Sequence, residues 1–162
     1  MISIRQATAD DAGALSALNV AVQSVHAKAH PHLFKMPEND LFALEFMQER
    51  LAEPQTYIYI ASLDDVPIGY ILAKRVDRPE NPFMHARKLI YVDQLSVNPD
   101  RRRLGAAKRL MDRIVELAQE HAIDSIALDT WAFNENAQSF FKSQGFTPFN
   151  IRLWRNQTVE IK

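Results

Sequence analysis

Cysteine is absent from the 162-residue chain. Disulfide scaffolds, cysteine nucleophiles, thiolate zinc sites and iron–sulfur clusters are thereby excluded. Glycine is scarce: Gly13, Gly69, Gly105 and Gly145 are the whole set, and no two lie within six residues of each other. Neither a G-x-G-x-x-G dinucleotide turn nor a G-x-x-x-x-G-K phosphate loop can be built from them. A surplus of one charge is also missing, with 19 Lys and Arg against 20 Asp and Glu and a net charge of −1. That balance argues against a general nucleic-acid binder and leaves room for a local basic patch. No apolar run approaches the roughly 18–20 residues of a membrane span, and Met1–Arg5 lacks the apolar stretch of a signal peptide. The expectation is a cytoplasmic protein with no membrane or nucleic-acid partner. What the chain does have is 47% apolar residues, enough for a core without disulfides or metals. Its length points to one domain over residues 1–162.

The periodicity places the elements. Ile2 to Gln6 reads as a strand, and Thr8 to Asp11 as a capping box. Leu15, Leu18, Val22 and Val25 form the stripe of a first helix, which Pro31 stops by about His30. Pro31 to Pro37 is a loop. Leu41, Leu44, Met47 and Leu51 mark a second helix, closed before Pro54. Tyr57–Ala61 and Ile68–Val76 are strands joined through Asp64-Asp65-Val66-Pro67 as an antiparallel hairpin. Asp77 to Pro82 is a loop. Lys88 to Val97 carries apolar residues on both faces and belongs in the sheet centre. Ala107, Leu110, Met111, Ile114, Leu117 and Ala118 share one face of a helix over 103–121, followed by a strand over Ile126–Trp131. This β-α-β unit is expected to be parallel and right-handed. A short helix follows over Glu135–Gln144, capped by Asn134 and stopped at Gly145, and Phe146 to Trp154 closes the chain in β structure. The order β-α-α-β-β-β-α-β-α-β gives an α/β fold, a mixed sheet with helices on both faces.

The most informative stretch runs from Val97 to Lys108. A central strand ends, a turn follows, and a helix opens at Gly105-Ala106-Ala107 among Arg101, Arg102, Arg103 and Lys108. The first amides of a helix lack internal acceptors, and the dipole adds partial positive charge there. Small residues let an anion approach that backbone, so the segment is a candidate pyrophosphate cradle. The competing reading, a solvated helix start, explains the arginines poorly because cations at that end oppose the dipole.

Arg102-Arg103-Leu104-Gly105-Ala106-Ala107 resembles the R/Q-x-x-G-x-G/A signature of the GNAT superfamily of N-acetyltransferases. Asn134 to Phe146 is similar to the family's N-x-x-A-x-x-x-Y-x-x-x-G-F segment, and the element order agrees from the first strand onward. The resemblance implies a mostly antiparallel sheet splayed between the fourth and fifth strands. It implies acetyl-CoA as cosubstrate, no metal, and direct acetyl transfer to an amine acceptor: a small amine, an amino acid or a protein amino group. Amides from Arg103 through Leu104, Gly105, Ala106 and Ala107 to Lys108, beside Arg102, would hold the pyrophosphate. Leu95 and Val97 would pair through their main chains with the pantetheine arm, and the Leu95 amide would polarise the acetyl carbonyl. Asn134 would touch the same arm, or serve simply as a helix cap. Dimers are common among relatives, so a homodimer is compatible with the likeness.

Phe141 stands where the family often has a tyrosine that protonates the departing thiolate. Its alternatives are packing beside the cofactor sulfur or in the core. That departure keeps open a second reading, a catalytically weak acyl-CoA-binding module. Asp93 occupies the strand position where relatives often carry a glutamate and is the candidate general base. Its alternative is a structural hydrogen-bond acceptor, since burial of an unpartnered carboxylate is costly. His26 and His30 are an i, i+4 pair, but no carboxylate pair stands nearby in sequence. They are read as part of a substrate-facing loop rather than as metal ligands. Tyr57, Tyr59, Tyr70 and Tyr91 are candidates for polar tips in the acceptor pocket or for core packing.

Overall fold

The computed structural model describes residues 1–156. Five strands form one sheet in the order β1-β2-β3-β4-β5. They are β1 (Ile2–Gln6), β2 (Thr56–Leu63), β3 (Val66–Arg78), β4 (Arg87–Val97) and β5 (Ile126–Leu128). Neighbours run antiparallel except β4 and β5, which are parallel. The helices are α1 (Ala12–Ala29), α2 (Leu44–Ala52), α3 (Ala106–Glu120) and α4 (Glu135–Ser143).

Side-chain alternation along the central strands builds two cores. Ile58 and Ile60 of β2 and Tyr70 and Leu72 of β3 pack with Leu15 of α1 and Met47 of α2. The intervening Tyr59, Ala61, Ile71 and Ala73 face the other way, onto Leu110, Ile114 and Leu117 of α3. Helices therefore cover both faces of a mixed sheet, as the pattern implies. The hairpin turns at Asp64 and Asp65, with φ of 49° and 65°, the two left-handed residues that match the twist of paired strands.

Several elements differ from the sequence reading. β3 continues to Arg78, through the expected start of a loop, because Asp77 and Arg78 still pair with Lys88 and Arg87. Helix α2 starts at Leu44, not Leu41. The Asn39 side chain accepts from the Leu41 N–H at 2.8 Å and Ser16 Oγ from the Ala43 N–H at 3.1 Å, so local acceptors displace the first turn. Helix α3 starts at Ala106 rather than 103, because Arg103 and Gly105 adopt left-handed φ of 65° and 85°. β5 ends at Leu128 instead of Trp131, where its partner β4 diverges. Finally, 146–154 is not a strand. Phe149, Ile151 and Leu153 keep strand spacing but are 77–88% exposed. A period-two pattern makes a segment fit for a ladder without supplying the partner backbone that the ladder requires.

Two details fix how the strands and first helix sit. A Cβ added at Gly69 would meet Ser96 O at 2.7 Å and Val97 Cγ2 at 3.0 Å, so β3 and β4 approach too closely here for any side chain. At the start of α1, Asp11 accepts from the Arg5 guanidinium at 2.7 and 2.8 Å and from the Thr8 N–H at 2.7 Å, the carboxylate half of the expected capping box.

Gly69→Ala is expected to destabilise the protein by about 1–3 kcal/mol through overpacking, read as a lower urea midpoint at unchanged slope. The Arg5 hydrogen bonds hold the Asp11 carboxyl far below the usual carboxylate range. The unfolded chain therefore takes up this proton first as pH falls, and the stability it contributes, complete above about pH 4, is lost on acidification. Asp11→Asn is expected to flatten the acid limb of a melting-temperature profile between about pH 4 and 2; an unchanged limb would exclude the assignment.

Candidate active site

The site is built on the second half of β4. Pairing with β5 joins Ile90–Val92 to Ile126–Leu128 and ends there. On that side, no described strand flanks Asp93–Val97. On the other side, β3 pairs Leu72 with Gln94 and Ala73 with Val92, which leaves Asp93 as the extra residue of a β-bulge. Asp93 is accordingly exposed, not held inside the sheet as the sequence suggested. The bulge turns its carboxylate out and removes the burial cost that made the position puzzling.

The bulge also reverses the main-chain alternation. The Ile90 N–H donates to Ser125 O at 3.0 Å, so before the bulge the even-numbered residues address the β5 side. The Asn98 N–H donates to Ile68 O at 2.8 Å, so after it the even-numbered residues address β3. Since successive residues alternate, Leu95 and Val97 turn their N–H and C=O groups into the gap. Their side chains pack against the α3-side core, on the same face as Ile90 and Val92.

Polar ties brace this gap. Asn19 of α1 donates to the Tyr70 hydroxyl, which donates to Gln94 Oε1 at 2.6 Å, and Ser96 Oγ donates to Leu18 O at 2.7 Å. Burial raises the pKa of Tyr70 well above the phenolic range, so it remains a donor. At the apex of the gap, Tyr91 donates to Asp129 Oδ2 at 2.8 Å. Burial, then this carboxylate, pushes Tyr91 up to about 12.

At the far end of β4, Gly105 precedes α3 with no side-chain cap, and the first helical bond is Arg109 N–H to Gly105 O at 3.0 Å. The amides of Ala106, Ala107 and Lys108 thus point outward without a helical acceptor. A Cβ on Gly105 would touch nothing within 4 Å, so its φ of 85°, not crowding, demands glycine. Arg101, Arg102, Arg103 and Leu104 are exposed beside these amides. The rest of the basic patch is occupied. Lys108 pairs with Asp112 at 2.7 Å, Arg109 donates to Ile2 O, and Arg113 binds Glu120 at 2.9 Å while lying over the Tyr59 ring.

Asn134 caps α4, its Oδ1 accepting from the Ala137 N–H at 3.1 Å. Phe141 packs against Phe140 and Phe146 beside the α3-side core, with ring centroids 5.3 and 5.8 Å away. Among the described residues no three His, Asp or Glu side chains gather as a metal site. His26 and His30 instead join Phe34, Trp131 and Phe133 in an aromatic cluster. The sequence reading missed Asn19, Gln94, Asp129 and the Trp131–Phe133 rings. Their partners lie 24–75 or about a hundred positions away, beyond any local signal, although Asp129 directly follows the last paired residue of β5.

The gap offers free main-chain groups along one wall, free helix amides and cations at one end, and an exposed carboxylate at the bulge. That set suits an extended ligand with an anionic terminus. Comparison with known proteins gives the family. The chain is 27% identical over 104 residues to an uncharacterized N-acetyltransferase in the pepI 3′ region of Lactobacillus delbrueckii subsp. lactis, covering 64% of this chain and 59% of that relative. A mutant form of the BH1408 protein from Bacillus halodurans superposes with a TM-score of 0.89 at 24% identity, over 96% of this chain and 99% of that one. The aminoglycoside N-acetyltransferase AAC(6′)-Iy in complex with CoA gives 0.70 at 19% identity, over 98% and 96%. The acetyltransferase (GNAT) family model matches residues 19–146, and the chain belongs to that family.

Proposed function

We propose that the protein transfers the acetyl group of acetyl-CoA directly to an amine. The observation that carries this reading is the bulge at Asp93, which aims the N–H and C=O groups of Leu95 and Val97 into a gap with no flanking strand. Buried main-chain groups need partners, and the amides of a pantetheine arm are suitable ones. The outward amides of Ala106, Ala107 and Lys108, with Arg102 and Arg103 alongside, fit a pyrophosphate. Asn134, its Oδ1 committed to the cap, keeps an amide N–H₂ for the same arm. The CoA bound to the neighbour AAC(6′)-Iy is consistent with this assignment.

In the reaction, Asp93 takes a proton from the acceptor ammonium, directly or through one water, and frees the nitrogen lone pair. The amine attacks the thioester carbon while the Leu95 N–H stabilises the developing oxyanion, a donor worth roughly 3 kcal/mol in other acyl-transfer sites. Collapse breaks the carbon–sulfur bond and gives the amide and the CoA thiol. Phe141 has no proton to give and serves as packing, but a thiol of pKa roughly 8–9 leaves without a strong acid. The same residue favours the alternative, an acyl-CoA-binding module with little turnover. CoA-thiol release across an amine panel, set beside acetyl-CoA binding alone, separates the two.

Gly105→Glu places a carboxylate and a disfavoured φ at the cradle. It is expected to weaken acetyl-CoA binding by calorimetry at least tenfold, on the order of 1.4 kcal/mol or more; an unaltered affinity overturns the cradle. Asp93→Asn is expected to lower kcat/KM by about 10²–10⁴ with acetyl-CoA affinity unchanged; an unaltered pH–rate profile would exclude the base role.

A further inference from the structure

Helix α1 does more than cover a core. It passes over β3 and β4, where Leu18 and Asn19 meet Ser96, Tyr70 and Gln94. Its next two turns advance about 1.5 Å per residue and carry His26 and His30 across the gap to Trp131 and Phe133, in the connection from β5 to α4. The expected apolar stripe is buried only at its start: Leu15 is fully buried, Leu18 and Val22 are half-buried, and Val25 is 40% exposed.

The following loop folds back, held by Gln23 Nε2 donating to Lys35 O at 2.7 Å. It lays Phe34 on the His26 ring at 5.0 Å and edge-on to Trp131 at 4.9 Å. The connection opposite is equally fixed, since Trp131 O accepts from the Asn134 N–H at 2.9 Å and from Gln138 Nε2 at 3.0 Å. Five aromatic or imidazole rings thus meet across the mouth of the gap. They belong to neither core, and Trp131 remains 41% exposed. Rings packed this way present π faces and edges suited to another ring at 4.5–7 Å. Burial lowers the pKa of His26, which favours its neutral form.

We propose that these rings form the body-binding half of the acceptor subsite and select amines carried on an aromatic ring by a short aliphatic linker. The inference rests on the acetyltransferase reading and narrows its acceptor. The ammonium would lie toward Asp93 and the ring against Trp131. A polycationic acceptor such as an aminoglycoside needs several carboxylates. Asp93 is exposed at the bulge, and Asp129 also accepts from Tyr91, a pair suited to one ammonium rather than to several.

The test uses the full chain with acetyl-CoA and follows CoA-thiol release with 2-phenylethylamine, n-hexylamine and kanamycin. Binding of 2-phenylethylamine to the CoA-loaded protein is read in parallel by calorimetry. The expected result is a KM for phenylethylamine at least tenfold below that for hexylamine, with kanamycin poorer than both. Trp131→Ala is expected to raise the phenylethylamine KM about tenfold, a larger factor than for hexylamine, and to leave acetyl-CoA affinity unchanged, while Trp131→Phe restores most of the preference. Equal KM values, a preference for kanamycin, an equal effect of Trp131→Ala on both simple amines, or no phenylethylamine binding to the CoA-loaded protein each overturns the subsite. Absence of acetyl-CoA binding strikes instead at the acetyltransferase reading.

Discussion

A single unpaired residue in β4 governs the arrangement. Asp93 inserts between Val92 and Gln94 with no counterpart on β3, and everything beyond it is shifted by one position. Side chains and main-chain groups both alternate along a strand, so one insertion changes both at once. Leu95 and Val97 follow Ile90 and Val92 onto the α3-side core, and their amides and carbonyls address the gap. Packing thereby fixes the direction of the hydrogen-bonding groups. Were this same sequence paired without the bulge, unbroken alternation would turn Leu95 and Val97 off the α3-side core and put Gln94 on it, so the burial that stabilises the fold also enforces the geometry of the site.

An open strand edge is ordinarily a liability, because unpaired backbone groups invite another strand. Here the opening is short and bounded. The Tyr91–Asp129 bond closes its apex, α1 and the aromatic rings lie across its mouth, and the uncapped start of α3 ends it. The contrast between the two later helices is informative. At α4 Asn134 satisfies an amide from within the chain, whereas at α3 the residue in the equivalent place is Gly105, which has no side chain to do so. The polar groups left free lie along one continuous path from the bulge to the arginines.

Much of this was legible in the sequence, for local reasons. The hairpin, the Leu110–Ile114–Leu117 stripe, the stop before Pro31 and the cradle at Gly105 each depend on residues within a few positions of one another. The bulge also left a trace: apolar residues at 90 and 92 give way to 95 and 97, a change of parity centred on Asp93. It passed unread because a strand apolar on both faces masks the alternation. Contacts between distant segments left no such trace. Nothing near Trp131 announces His30, and nothing near Tyr91 announces Asp129. The segment 146–154 shows the converse, a clear strand pattern without a ladder, since propensity describes one partner of a pair.

The geometry also bears on the acid that Phe141 cannot supply. Tyr91 is a phenol at the gap, and its position invites that role. Yet burial, then Asp129, pushes it up to about 12, so it is a weaker acid than an ordinary phenol and a poor proton donor to a departing thiolate. Tyr91 is better placed to hold than to give: protonated across the working range, it keeps its bond to Asp129 and with it the separation of β4 from β5. In the proposed reaction the sulfur then leaves as the thiolate, and the proton given up by the acceptor amine balances its charge. A thiolate stable enough to leave unprotonated makes that sufficient, and the chemical demand on the protein reduces to orienting the thioester and freeing the amine.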